Sequence, residues 1–278
     1  MKKILLCAAV MLVLSGCTGT QPTTQDAQQT NTTTKTETAD RETIFQVSLL
    51  QGLTLGDYYG SVTVKELKEK GDTGIGTFEG VNGELVMLDG VVYRAKSDGS
   101  VEVAPDDETI PFSNVTFFDA DATEKISGVS SINDLKTYLN GKVNEFGKNN
   151  FYMIRIDGAF KNVFARSELK QEEPYKTLAD ALSTDQREFN FEKTNGTVVG
   201  LYCPEYMKEL NAAGWHFHFV SEDKQNGGHV LDVDIDNAEL KWDNTPGFNM
   251  LLPDTKKFPT LDLTTDQSQD IKKVETNE

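Results

Sequence analysis

Trp215-His216-Phe217-His218-Phe219, followed after a polar loop by Gly227-Gly228-His229, contains all 3 histidines of the chain. Side chains at i and i+2 of a strand share a face, so His216 and His218 point together. Phe217 and Phe219 point the other way, into apolar surroundings. If Ser221 to Asn226 is the loop of a hairpin, His229 stands opposite His218, and cross-strand neighbours have Cβ atoms about 5 Å apart. Three imidazoles then converge on one spot, as a three-histidine zinc site with an open position requires. Imidazole also suits copper, iron and nickel. Zinc is preferred because no cysteine or facial carboxylate adjoins the three.

Working outward, Asn195-Gly196 reads as a turn into a strand from Val198 to Tyr202. Pro204 to Ala213 reads as a helix ended by Gly214, and His229 to Ile235 as the return strand of the hairpin. Beyond Pro246 the chain reads as loop, since Pro253 and Pro259 rule out a long regular element. On the N-terminal side, Thr63-Val64-Lys65-Glu66 is a capping box that predicts a helix over Val64 to Lys70, stopped by Gly71. Gly83 to Ala95 is a pair of β-rich runs around Asp89-Gly90, a hairpin signal. Asn114 to Phe118 and Phe151 to Phe160 alternate as half-buried strands do. Ser131 to Leu139 and Pro174 to Leu182 read as helices, and no internal repeat is present. The expected fold is α+β: two β-rich domains with a few short helices. The division near residue 165 gives an N-terminal α/β domain, 43–165, and a C-terminal domain, 166–278, that carries the zinc site on its β-hairpin.

The N-terminus reads as an address. Lys2 and Lys3 precede an apolar run from Ile4 to Leu14, too short to span a bilayer but suited to a signal-peptide core. It ends in Leu14-Ser15-Gly16-Cys17, which resembles a bacterial lipobox with Cys17 as the lipidated residue; the alternative is an ordinary signal peptide with a chance cysteine. Residues 1–17 are thus expected to be a lipoprotein signal peptide. Thr18 to Asp40 has no Leu, Ile, Val, Met or aromatic residue, and ten of its 23 residues are Thr. Having nothing to bury, residues 18–42 are expected to form a disordered tether reaching roughly 25 Å. An exported, membrane-anchored lipoprotein follows, touching the membrane through its lipid alone. With Cys7 leaving and Cys17 acylated, Cys203 is the one free thiol, so stability must come from a core or a metal rather than a disulfide. The formal charge is −17, and −19 once Lys2 and Lys3 are removed. Such a surface disfavours nucleic acid and anionic lipid as partners. An anionic substrate would need a local cation, from a metal or from one of the five arginines, Arg41, Arg94, Arg155, Arg166 and Arg187.

Several blocks then occur in order. The first runs Leu49-Leu50-Gln51-Gly52, Gly56-Asp57-Tyr58-Tyr59-Gly60, Gly71-Asp72-Thr73-Gly74-Ile75-Gly76-Thr77-Phe78, Gly83-Glu84-Leu85 and Asp89-Gly90-Val91-Val92-Tyr93. A middle block runs Ile156-Asp157-Gly158-Ala159-Phe160 to Ala165-Arg166-Ser167, and the histidine hairpin closes the set. From about residue 44 onward the chain resembles the α-acetolactate decarboxylase family; Thr73 departs from the aromatic residue expected there. The resemblance implies a zinc-dependent decarboxylation of the small molecule 2-acetolactate to acetoin and carbon dioxide through a metal-stabilised enediolate, in a two-domain homodimer. It implies His216, His218 and His229 as Zn2+ ligands, Glu84, Arg166 and Glu275 as catalytic residues, and Thr77 with Arg166 as substrate-binding residues. No thiamine or pyridoxal is needed, because the β-keto group is the electron sink. On their own residues, Glu84 reads as a hairpin-edge charge, Arg166 as a surface ion pair and Glu275 as a solvated tail residue.

Two alternatives stay open at the level of sequence. One is a non-catalytic surface zinc-binding lipoprotein, which would have no use for Glu84 or Arg166 at the metal. The other is a cupin-like metalloenzyme on another hydroxy or keto acid, since Glu222 completes the string His-x-His-x-x-x-Glu. Cupins take a later histidine from a distant motif, and none follows His229.

Overall fold

The computed structural model describes residues 40–276, without the side chains of 273, 275 and 276. Cys17, the signal segment and residues 18–39 of the tether lie outside the described residues, as does the side chain of Glu275. The first half of the chain forms β1 (Thr43–Val47), β2 (Val62–Thr63), β3 (Thr73–Thr77), β4 (Glu84–Leu88), β5 (Val91–Ala95), β6 (Val101–Val103), β7 (Thr109–Ile110) and β8 (Phe112–Thr116). It also forms the short helices α1 (Leu50–Thr54) and α2 (Val64–Lys68). The second half forms β9 (Ala122–Val129), α3 (Ile132–Phe146), β10 (Phe151–Glu168), α4 (Leu178–Asp185) and β11 (Gln186–Cys203). It continues as β12 (Gly214–Ser221), β13 (Gly227–Thr245), β14 (Gly247–Leu251) and α5 (Ser268–Thr276).

Seven strands make one sheet in the order β14-β1-β8-β3-β4-β5-β6, and β2 and β7 form a small separate ribbon. The second sheet runs β10-β11-β12-β13-β9, with β10 also paired to β13, so these four strands close on themselves. Ile44, Ile75 and Val86 of the first sheet pack against Met153, Val199, Leu201 and Val220 of the second. The opposite face of the first sheet is covered by Val64 and Leu67 of α2. Leu135, Leu139 and Val143 of α3 cover the aromatic core of the second, where Trp215 meets Phe217 and Trp242.

This layering explains where local patterns mislead. β8 is buried at every position, and β10 along most of its length, rather than half-buried, because both faces are covered. Asn195-Gly196 is no turn: it lies inside β11, paired with Ala159 and Gly158 of β10. A Cβ on Gly196 would fall 2.5 Å from the Phe219 ring, so this glycine serves a close approach. The helix expected over Pro204 to Ala213 is only a 3₁₀ turn, Glu205–Met207. α4 begins later than expected, at Leu178, because the Thr177 hydroxyl accepts from the Asp180 N–H as N-cap. The loop expected beyond Pro246 contains β14, which pairs in parallel with β1, and α5. The capping box at Thr63 and Glu66 and the Asp89-Gly90 hairpin form as expected, and the Ser131-capped helix forms but runs on past Leu139 to Phe146. Residue 165 lies inside β10, which runs unbroken from Phe151 to Glu168. Among the described residues no helix is long and apolar enough to cross a membrane, and Cys203 is free and buried.

Candidate active site

Three strand registers assemble the site. His218 of β12 pairs with His229 of β13, and His229 pairs in turn with Arg166 of β10. His216 lies two residues before His218, on the same face. The loop between them closes through the Ser221 N–H donating to the Asn226 carbonyl, as the hairpin reading required. Gly228 allows β13 to approach β10: a Cβ there would lie 2.5 Å from the Arg166 carbonyl oxygen.

The first sheet supplies the opposite wall. Glu84 opens β4 and pairs with Thr77 of β3. Its carboxylate lies 3.4 Å from His218 Nε2. The Thr77 hydroxyl donates to the Gly83 carbonyl at 2.8 Å. Thr77, Glu84, Arg166 and the three histidines all line one cavity, walled on its apolar side by Leu50, Leu53, Val81, Phe112 and Leu178. Ile271 and Val274 of α5 pack on that apolar wall. Glu79, five residues before Glu84, is engaged elsewhere: it accepts from the Thr109 hydroxyl at 2.5 Å and the Gly60 N–H at 3.2 Å.

The donor set fits a cation. His216 Nε2 lies 2.9 Å from His218 Nε2 and 3.1 Å from His229 Nδ1, and the ligand atoms of all three lie within 4.8 Å of one another. His218 Nδ1 is 2.8 Å from the Leu85 carbonyl, which can only accept, so Nδ1 carries the proton and Nε2 presents its lone pair. Burial, then the charges of Arg166 and Lys136, push His216 down to about 3. Burial and the neighbouring His216 hold His218 well below the usual range. Neutral rings are what metal ligation needs. One ring proton cannot point at two neighbouring nitrogens at once, whereas a cation among them satisfies all three lone pairs. No second cluster of this kind occurs among the described residues.

Arg166 is 4% exposed. Its Nη1 donates to the Gln186 side-chain oxygen at 3.0 Å, its Nη2 donates to the Val274 carbonyl of α5, and its Nε lies 3.6 Å from Glu168. Glu168 and Gln186 were not singled out from sequence. Arg166-Ser167-Glu168 on a strand puts both charges on one face, which was the available signal. The apolar wall carries no such signal. Glu222 of the cupin-like string is exposed on the hairpin loop and lines a different, open depression of about 530 Å³. That depression contains no histidine, and its Asp157 is already bonded to Thr197 and Lys241.

A buried three-imidazole centre flanked by a carboxylate and a guanidinium defines an enzyme site for a small oxygenated anion. Residues 44–265 match the family model described as α-acetolactate decarboxylase. A protein of that name from Methanosarcina mazei is 38% identical over 269 residues, covering 94% of this chain and 92% of its own. One from Bacillus subtilis is 37% identical, over 84% of this chain and 90% of its own. The crystal structure of α-acetolactate decarboxylase from Bacillus subtilis strain 168 superposes with a TM-score of 0.81 at 36% identity, covering 84% of this chain and 99% of that one. The chain belongs to the α-acetolactate decarboxylase family, and it is an enzyme of the carboxy-lyase class.

Proposed function

We propose that this chain converts 2-acetolactate to acetoin and carbon dioxide with a zinc ion held by His216, His218 and His229. The observation that carries the proposal is the convergence of three buried imidazoles, with His216 and His218 held neutral, on a cavity that Glu84 and Arg166 also line. When bound, the ion supplies Lewis-acid stabilisation of the negative charge that develops on the substrate's ketone oxygen as carbon dioxide leaves. Arg166 binds the substrate carboxylate through its guanidinium and orients the bond to be broken. Glu84, beside His218, carries the proton that ends on the substrate carbon. The Thr77 hydroxyl keeps its lone pairs for a substrate hydroxyl, because its own proton is given to Gly83. Leu50, Leu53, Phe112 and Leu178 exclude water and receive the methyl groups. Glu275 is proposed as a second proton carrier on the strength of the family resemblance.

A scavenging module would have no use for a buried carboxylate and guanidinium beside its metal. We further propose a homodimer of two-domain subunits, tethered outside the cell through a lipid on Cys17. Elemental analysis of single alanine variants at His216, His218 and His229 tests the metal site. Each should lose most of its zinc, because a site with three protein ligands has none to spare. Full zinc occupancy in any one variant would remove that histidine from the set.

A further inference from the structure

We propose that Glu168 is a positioning residue for the decarboxylation, holding the Arg166 guanidinium in the orientation that receives the substrate carboxylate. The proposal rests on Arg166 being the carboxylate-binding group. Arg166 and Glu168 sit two residues apart on β10 and so share the face that carries the site. Their side chains are 5% and 6% exposed, and Arg166 Nε lies 3.6 Å from a Glu168 carboxylate oxygen. That distance is an ion pair rather than a hydrogen bond, and its burial leaves it little screened by water and salt. Glu168 also faces the cavity shared by Glu84 and the histidines. The register places Gln186 of β11 directly opposite Glu168, and Gln186 accepts from Arg166 Nη1 at 3.0 Å. The cross-strand pair Glu168 and Gln186 therefore grips the guanidinium from two sides.

Two physical needs are met at once. A guanidinium removed from water needs a counter-charge to stay in place when no substrate is bound. A long side chain with four rotatable bonds also binds an anion well only if it is already aimed. Fixing Nε and Nη1 leaves Nη2, now bonded to the Val274 carbonyl, as the arm with which the substrate carboxylate competes. The alternative role for Glu168 is a plain negative charge that repels the substrate carboxylate, and this makes the opposite prediction.

The test uses two inhibitors that differ only in the carboxylate. These are 2,3-dihydroxy-2-methylbutanoate, which is the substrate with its ketone reduced, and 2,3-butanediol, in which a hydrogen replaces the carboxylate. Their inhibition constants are measured on zinc-loaded wild type, Glu168→Ala, Glu168→Gln, Arg166→Ala and the Glu168→Ala/Arg166→Ala double variant. Glu168→Ala should weaken the carboxylate inhibitor on the order of 10-fold or more and leave the diol unchanged. Glu168→Gln, which keeps the size and an acceptor, should recover part of that loss and guards against a variant that does not fold. In the Arg166→Ala background, removing Glu168 should change the ratio of the two constants no further. Equal changes for both inhibitors, or tighter binding of the carboxylate in Glu168→Ala, would overturn the proposal. If Arg166→Ala itself leaves the ratio unchanged, the fault lies instead in the assignment of the carboxylate to Arg166.

Discussion

Replacing Gly228 by alanine should cripple turnover far more than its modest loss of stability would suggest. The glycine precedes His229 at the point where β13 meets β10. The added Cβ would lie 2.5 Å from the Arg166 carbonyl oxygen and 3.2 Å from the Ala165 Cβ. A backbone oxygen inside a paired strand cannot rotate away as a side chain can, so the two strands must part. Overpacking of this kind costs about 1–3 kcal/mol. The same movement separates Arg166 from His229 by roughly 1 Å, and misplacement on that scale costs on the order of 100-fold in rate. Gly90→Ala is the matched control. Gly90 has a φ of +77° and nothing within 4 Å of an added Cβ, in a turn on another sheet. It should lose about 1 kcal/mol from left-handed strain and no activity per folded molecule. The assay is thermal melting alongside the turnover number per zinc-loaded, folded enzyme. Wild-type turnover in folded Gly228→Ala would refute the claim that this strand register sets the catalytic geometry.

Other changes separate chemistry, electrostatics and anchoring. Glu84→Gln keeps shape but removes the ionisable group, so it should fold, bind zinc and lose roughly 10²–10⁴-fold in turnover; near-normal acetoin production would remove Glu84 from proton transfer. Asp243 is 1% exposed, and burial together with the nearby charges of Asp119, Asp121 and Glu42 pushes its carboxyl up to about 8. The folded protein then keeps a proton that the unfolded chain releases above about pH 4, so this group's contribution to stability falls as pH rises from about 4 to about 8. Asp243→Asn should remove that slope and melt several degrees above wild type near pH 9, with the advantage vanishing near pH 4; parallel melting curves across this range would contradict it. Cys17→Ser should release the protein from the membrane fraction or leave it unprocessed, whereas wild type that is soluble and unacylated after export would disprove the lipid anchor.

The hairpin was legible because two signals agree: alternation of histidine with phenylalanine, and a glycine pair on the return strand. The capping box at Thr63 and the Asp89-Gly90 turn were legible for the same reason, being complete within a few residues. β14 was not, since Gly247 to Leu251 becomes a strand only by pairing with β1, some 200 residues earlier. Asn195-Gly196 carries turn chemistry, yet packing against Phe219 decides its role. Glu84 illustrates the limit for the site. Its own residues say only that a charge sits near a turn, and the family resemblance alone pointed it at the metal. Its 3.4 Å approach to His218 arises from packing between two sheets, which no local pattern encodes. Glu168 went unremarked because Arg-x-Glu on a strand looks like an exposed ion pair until both side chains prove to be buried.

Acetoin formation from racemic acetolactate by the purified chain is the most direct measurement. Acetoin and carbon dioxide should form together, stop when a chelator strips the metal, and resume when zinc is restored. Undiminished acetoin formation by metal-free protein would contradict the role given to the three histidines, and a folded, zinc-loaded protein that forms none above the uncatalysed rate would contradict the activity itself.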